Sequence, residues 1–162
     1  MNENAPPLAG FKALTFDCYG TLIDWETGIW DAFQPLILLN GGAGPGRKTV
    51  LEAFAVHENR IEHENPGVLY PDVLARVHDA IARQMDLDTS ADLDRDFGRS
   101  LPHWPAFPDS AEALRSLKKH YKLVILSNVD RGGFAASNRK LGVAPTPMSE
   151  KDARRAKQRS EK

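Results

Sequence analysis

Asp17, Gly20 and Thr21 have the types and spacing to do nucleophilic chemistry. They close the stretch Phe11-Lys12-Ala13-Leu14-Thr15-Phe16-Asp17-Cys18-Tyr19-Gly20-Thr21-Leu22. A carboxylate after an apolar run is costly to desolvate unless it has donors or a task. Gly20 allows a sharp turn, and Thr21 can return its hydroxyl to the carboxylate. Asp17 is thus the candidate nucleophile. A strand-end aspartate that merely caps the next turn is the ordinary alternative. A second apolar run, Leu123-Val124-Ile125-Leu126, also ends in polar residues, Ser127-Asn128-Val129-Asp130. The neighbouring thiol, Cys18, reads as a small buried hydrophobe rather than a second nucleophile.

Such residues need strands that end together. The run Ala13–Phe16 is almost continuously apolar, which predicts a strand buried on both faces, as in a parallel sheet beneath helices. Leu123–Leu126 predicts another. Helices between two such strands place them side by side and parallel. Their carboxyl ends, where open α/β sheets bind ligands, then bring Ser127 and Asn128 to Asp17.

The intervening chain is helical in pattern. Ile29–Leu39 reads as a helix starting or kinking at Pro35, and Arg47–Glu64 as one carrying Val50, Leu51, Phe54 and Ile61. A helix from Pro71 has a clean three-four repeat through Val73, Leu74, Val77, Ile81 and Met85. Ser90–Leu101 predicts a further short helix. His57, His63 and His78 have no metal-ligand spacing and are expected on exposed helix faces. Asp109 and Glu112 spell a capping box for a helix ending near Lys118. A last helix, Gly133–Leu141, stops at Gly142.

Gly41–Thr49 nearly spells a phosphate-binding loop, but Arg47 separates Gly46 from Lys48. One inserted residue turns the lysine by about 100° on an opening helix. Pro45 also removes an amide. A plain connector is expected.

Length and composition bound the rest. The 162 residues fit one ordinary domain, or a small core with an insertion, and the net charge of −1 gives no electrostatic case for nucleic acid. Pro35–Leu39 is far too short to span a membrane. Met1–Pro7 has no signal character, and Cys18 has no partner for an internal disulfide. A reducing cytoplasm fits both observations.

Asp17-Cys18-Tyr19-Gly20-Thr21-Leu22, with Ser127-Asn128 in the right order, resembles the haloacid dehalogenase superfamily and its type II 2-haloacid dehalogenase branch. The resemblance covers about Phe11–Val143. It implies a Rossmann-like α/β core of parallel strands (residues 11–24 and 102–143) with a helical cap inserted at 25–101. Phosphatases of the superfamily carry a second aspartate two residues after the nucleophile, which protonates an alkoxide and helps to hold magnesium. Tyr19 stands there instead, and a departing halide needs no proton. The resemblance therefore implies a small 2-haloacid substrate and no cofactor. Asp17 would attack the halogen-bearing carbon, Thr21 would orient it, Ser127 would bind substrate and Asn128 would help to cradle halide. Tyr19, Ser127 and Asn128 are the implied substrate-binding residues. A cap arginine would receive the halide, with Arg60 and Arg76 as candidates.

The sequence departs from the family after Val143. Residues 144–162 lack the expected strands, lysine segment and acidic residues, so the core is expected to be incomplete. A truncation or a change of reading frame would give this pattern. The tail reads as a polar, basic segment that buries no strand. Such a core would self-associate, since two strands alone are marginal in water and open apolar edges recruit other chains. A catalytically inactive remnant or binding module is the alternative, and a magnesium-dependent phosphatase a third.

Overall fold

The computed structural model describes residues 10–127, 129, 131–142 and 146–148. The chain divides into two compact units, one formed by residues 24–105 and the other by the residues on either side.

The second of these is the α/β unit. Strand β1 (Ala13–Asp17) pairs in parallel with β2 (Lys122–Leu126), with Asp17 in register with Leu126. The two strands therefore end together, as their parallel placement predicted. Helices α5 (Ser110–Leu117) and α6 (Arg131–Leu141) belong to the same unit. Gly142 follows α6 at φ +63°, the left-handed conformation of a terminating glycine.

Three expectations for this unit need correction. β1 is not buried on both faces. Ala13, Thr15 and Asp17 are exposed, while Leu14 and Phe16 are half-buried. Among the described residues the strand order is β1-β2-β3, so β1 lies at the edge and lacks a neighbour on one side. The third strand is itself a correction. Thr146–Met148, within the tail expected to form none, pairs in parallel with β2 as β3. Pro147 opposite Ile125 has no amide to donate, which is tolerated on an edge strand. The third correction concerns Asp109. It precedes α5 but makes no side-chain capping bond, because its backbone is already helical (φ −93°, ψ −16°) rather than extended.

The outer edge of β1 has no partner strand among the described residues, and Phe11 beside it is 46% exposed. We expect the 162-residue chain to self-associate at micromolar concentration. Size-exclusion chromatography with light scattering gives the mass, and a strict monomer would refute this.

The helical unit contains α1 (Trp25–Leu39), α2 (Arg47–Glu64), α3 (Tyr70–Gln84) and α4 (Ala91–Gly98), followed by a short 3-10 turn at Leu101–His103. α1 starts at Trp25 rather than at Pro35 and runs through the proline. Its start is fixed by Asp24, whose carboxylate accepts from the Thr27 amide (3.0 Å) and the Thr27 hydroxyl (2.7 Å). Ile29, Phe33 and Leu36 of α1, Phe54 of α2, Val77 and Ile81 of α3 and Phe97 of α4 are buried. Phe33 and Phe97 meet edge-on at 6.3 Å. No helix among the described residues is long and apolar enough to cross a membrane.

His78 is not on an exposed face. It is about 1% exposed, with its ring stacked on Phe97 at 4.7 Å. α3 buries Val73, Leu74, Val77 and Ile81, and position 78 falls on the same wide stripe. A polar group there needs a partner, and Asp94 supplies one at 2.7 Å.

Glu58 of α2 is a second partly buried polar group and accepts from the Tyr70 hydroxyl. Burial pushes its carboxyl up, Tyr70 pulls it down, and the charge of Glu62 adds to the rise; the net shift is upward from 4.5. A folded pKa above the unfolded one means stability is fuller at low pH and is lost as pH rises through the folded value. Glu58→Gln keeps an acceptor for Tyr70 without the charge. Its melting temperature relative to the natural chain should therefore rise from about pH 4 to about pH 8. A constant difference across that range would show that ionisation of Glu58 costs nothing.

Candidate active site

The loop after β1 is built by its backbone. The Cys18 carbonyl accepts from the amides of Leu22 (2.8 Å) and Ile23 (2.9 Å), and the Gly20 amide donates back to the Ile23 carbonyl at 2.8 Å. Gly20 sits at φ +93°, where a side chain would strain the turn. The loop is then pinned from α5. The Leu22 carbonyl accepts from the Phe107 amide at 3.1 Å and the Ser110 hydroxyl at 3.0 Å. Ser110, overlooked in the sequence, thus spends its hydroxyl on the site loop rather than on a helix cap.

This scaffold leaves the Asp17 carboxylate exposed at the carboxyl end of β1. The Thr21 hydroxyl is 3.4 Å from Asp17 Oδ2, a long hydrogen bond on the side expected from the spacing. Ser127 follows directly on Leu126, the register partner of Asp17, so it leaves the sheet one strand away, about 4.8 Å across. Its Oγ accepts from the Val129 amide at 3.2 Å. Asn128 lies outside the described residues, as does Asp130.

Tyr19 is half-buried, and its hydroxyl is 2.9 Å from Ser137 Oγ on α6. Ser137 is buried and was also missed. It stands on a helix more than a hundred residues away, and no local spacing links the two. Cys18 is fully buried. Burial, and then the adjacent Asp17 charge, push its thiol up to about 12. A thiolate is the reactive form, so Cys18 is inert at neutral pH, as its neighbourhood implied.

The cationic candidates lie in the helical unit. Arg60 contacts His57 Nδ1 at 3.2 Å and Glu64 at 3.9 Å, and Arg76 donates to Asn65 Oδ1 at 2.8 Å. Arg47 donates to the Thr27 hydroxyl at 3.1 Å and lies 3.7 Å from Glu26. It lines a hollow of about 550 Å³ with Trp25, Lys48 and Leu51. Lys48 pairs instead with Glu52 at 3.8 Å along the same helix. Among the described residues, no group of three or more His, Cys, Asp or Glu is placed to hold a metal ion.

Known structures share the fold in part. A defluorinating L-2-haloacid dehalogenase aligns with a TM-score of 0.72 at 17% identity, covering 86% of this chain and 60% of its own. The L-2-haloacid dehalogenase of Xanthobacter autotrophicus with chloropropionic acid covalently bound aligns at 0.68 and 18%, covering 86% and 56%. The HAD-hydrolase YfnB of Bacillus subtilis, bound to magnesium, aligns at 0.65 and 15%, covering 88% and 66%. The chain thus spans 56–66% of the length of these proteins. No curated protein matches it in sequence. At these identities the likeness establishes an α/β fold of haloacid dehalogenase type, present here in part. A family profile, haloacid dehalogenase-like hydrolase, matches residues 11–153. With most of the chain so covered, the protein belongs to the haloacid dehalogenase-like hydrolase family.

Proposed function

We propose that the protein is a hydrolytic 2-haloacid dehalogenase that works through an aspartyl ester on Asp17. An Asp17 oxygen forms a bond to C2 of the substrate as the carbon–halogen bond breaks, and the bonding pair leaves with the halide. Water then adds to the ester carbonyl. The 2-hydroxy acid departs, a proton is released and Asp17 is regenerated. Splitting the reaction in this way replaces one difficult step by two easier ones. Attack from behind inverts C2. Thr21 orients the carboxylate, while Ser127 and Asn128 engage the substrate carboxylate and the halide. The lone buried cysteine suits a reducing, cytoplasmic setting.

The observation that carries this reading is Tyr19. The position where phosphatases of the superfamily place a second carboxylate holds a phenol whose hydroxyl is 2.9 Å from Ser137 on α6. That group supplies no carboxylate to a departing alkoxide or to magnesium. A halide, a stable anion, requires neither.

The test is chloride release from each enantiomer of 2-chloropropionate with a chelator present. Release from one enantiomer, giving the inverted lactate and unaffected by the chelator, is expected. Magnesium-dependent phosphate release from a phosphomonoester would replace this reading with the phosphatase. Binding of 2-chloropropionate without turnover would replace it with an inactive binding module.

A further inference from the structure

We propose that Ser137 of α6 is a positioning residue that sets the size of substrate, because it ties the Tyr19 phenol to α6 and makes the ring a fixed wall against the chain carried on C2 of a 2-haloacid. The proposal rests on the dehalogenase reading above and adds to it a limit on chain length.

Tyr19 has the placement that a wall needs. Successive side chains of an extended backbone face opposite ways. Asp17 is exposed, Cys18 fully buried and Tyr19 half-buried, so Cys18 turns inward while Asp17 and Tyr19 share the other side. The backbone at Tyr19 is still paired, in a parallel bridge to Ile23. The proposed nucleophile and the ring two residues on thus leave one side of one short segment. A substrate whose C2 is attacked by Asp17 brings the substituent on that carbon within reach of the ring.

Ser137 holds the ring in place. Its Oγ is 2.9 Å from the Tyr19 hydroxyl, and the residue is 2% exposed. Phe134, Ser137 and Leu141 are buried at three-four spacing, so the hydroxyl lies on the packed stripe of α6. Serine inside a helix is a modest helix former that ordinarily bonds to nearby backbone. Here its hydroxyl reaches a partner 118 residues away in the chain. A hydrogen bond at that depth is shielded from competing water and is stronger than an exposed one. The Phe107 amide and the Ser110 hydroxyl pin the loop by the Leu22 carbonyl, which fixes the backbone but leaves the Tyr19 ring to its own rotamers. The bond to Ser137 selects one of them.

Halide release from 2-chloropropionate, 2-chlorobutanoate and 2-chlorohexanoate reads the wall directly, as kcat/KM for each acid. The natural chain should favour the shortest, with each added methylene costing about tenfold. Ser137→Ala and Tyr19→Phe should each flatten that preference by about tenfold between the first and last acids, mainly through KM for the longer ones, and the double variant should do no more than either. Amide hydrogen exchange of the loop supplies a reading that needs no turnover. Ser137→Ala should speed exchange at Leu22 and Ile23, whose amides bond the Cys18 carbonyl, by about fivefold, and should add nothing in a Tyr19→Phe background. A natural chain that released no halide would overturn the dehalogenase reading and this proposal together. Release with the chain-length preference unmoved in Ser137→Ala, or an exchange effect of Ser137→Ala that persists in Tyr19→Phe, would overturn this proposal alone.

Discussion

Asp17→Asn should abolish halide release, lowering the rate at least about a thousandfold, since the loss of a covalent nucleophile leaves only binding and positioning. The amide is a poor nucleophile and carries no charge to displace a halide. The substitution is nearly isosteric, and Asp17 is exposed at the end of β1, so the fold should be unaffected. Thr21→Ala makes a graded companion. Its hydroxyl sits 3.4 Å from the carboxylate, so losing it frees Asp17 to rotate and should cost about tenfold. Rapid-quench mass spectrometry adds a direct reading. The natural chain should gain the mass of the 1-carboxyethyl group, and Asp17→Asn should not. Chloride release that survives in Asp17→Asn, with unchanged secondary structure, would refute the covalent mechanism.

Gly98→Ala should be among the most damaging single substitutions for stability, although alanine is the better helix former. Gly98 is buried at the end of α4. A Cβ there would stand 2.4 Å from the Pro71 carbonyl oxygen and 3.2 Å from the Ala75 Cβ, both on α3. The carbonyl is backbone in the first turn of α3, so relief requires moving one helix away from the other. Overpacking of this kind costs about 2 kcal/mol or more, enough to lower the melting temperature by roughly 10 °C in a domain of this size. Gly46→Ala is the control, because a Cβ at Gly46 meets nothing within 4 Å. Thermal unfolding followed by far-ultraviolet dichroism compares the two. A Gly98→Ala chain as stable as the natural one would mean that α3 and α4 do not pack this closely.

The sequence by itself carried the turn that joins Asp17 to Thr21 and most of the elements. Asp17, Gly20 and Thr21 are close in the chain, and a turn within a few residues has few ways to close, so their spacing already implied a hydroxyl beside a carboxylate. The parallel neighbours followed from two apolar runs separated by helices, because a crossover of that kind has few topologies. The bounds of α2, Arg47–Glu64, are those read from the sequence, with the glycine-rich connector before it. Each of these is a local property, set by backbone sterics and side-chain period.

Tertiary structure decided which surfaces are covered and which polar groups find each other. The apolar run of β1 implied burial on both faces, whereas the departure after Val143 implied an open edge; the strand lies at the edge of the described sheet with its alternate residues exposed, because burial depends on a neighbouring strand. His78 looked like a surface histidine, yet it is fixed between Phe97 and Asp94. The helical period gives the width of a buried stripe but not its exact edge. Asp109 and Glu112 had the letters of a capping box, but a helical backbone at Asp109 left the box unmade, and Ser110 was drawn to the Leu22 carbonyl. Tyr19 and Ser137 meet only because α6 packs beside the loop. A side chain's period is written in its neighbours along the chain, but its partner is chosen by packing between elements remote in sequence, where several pairings satisfy the same local pattern.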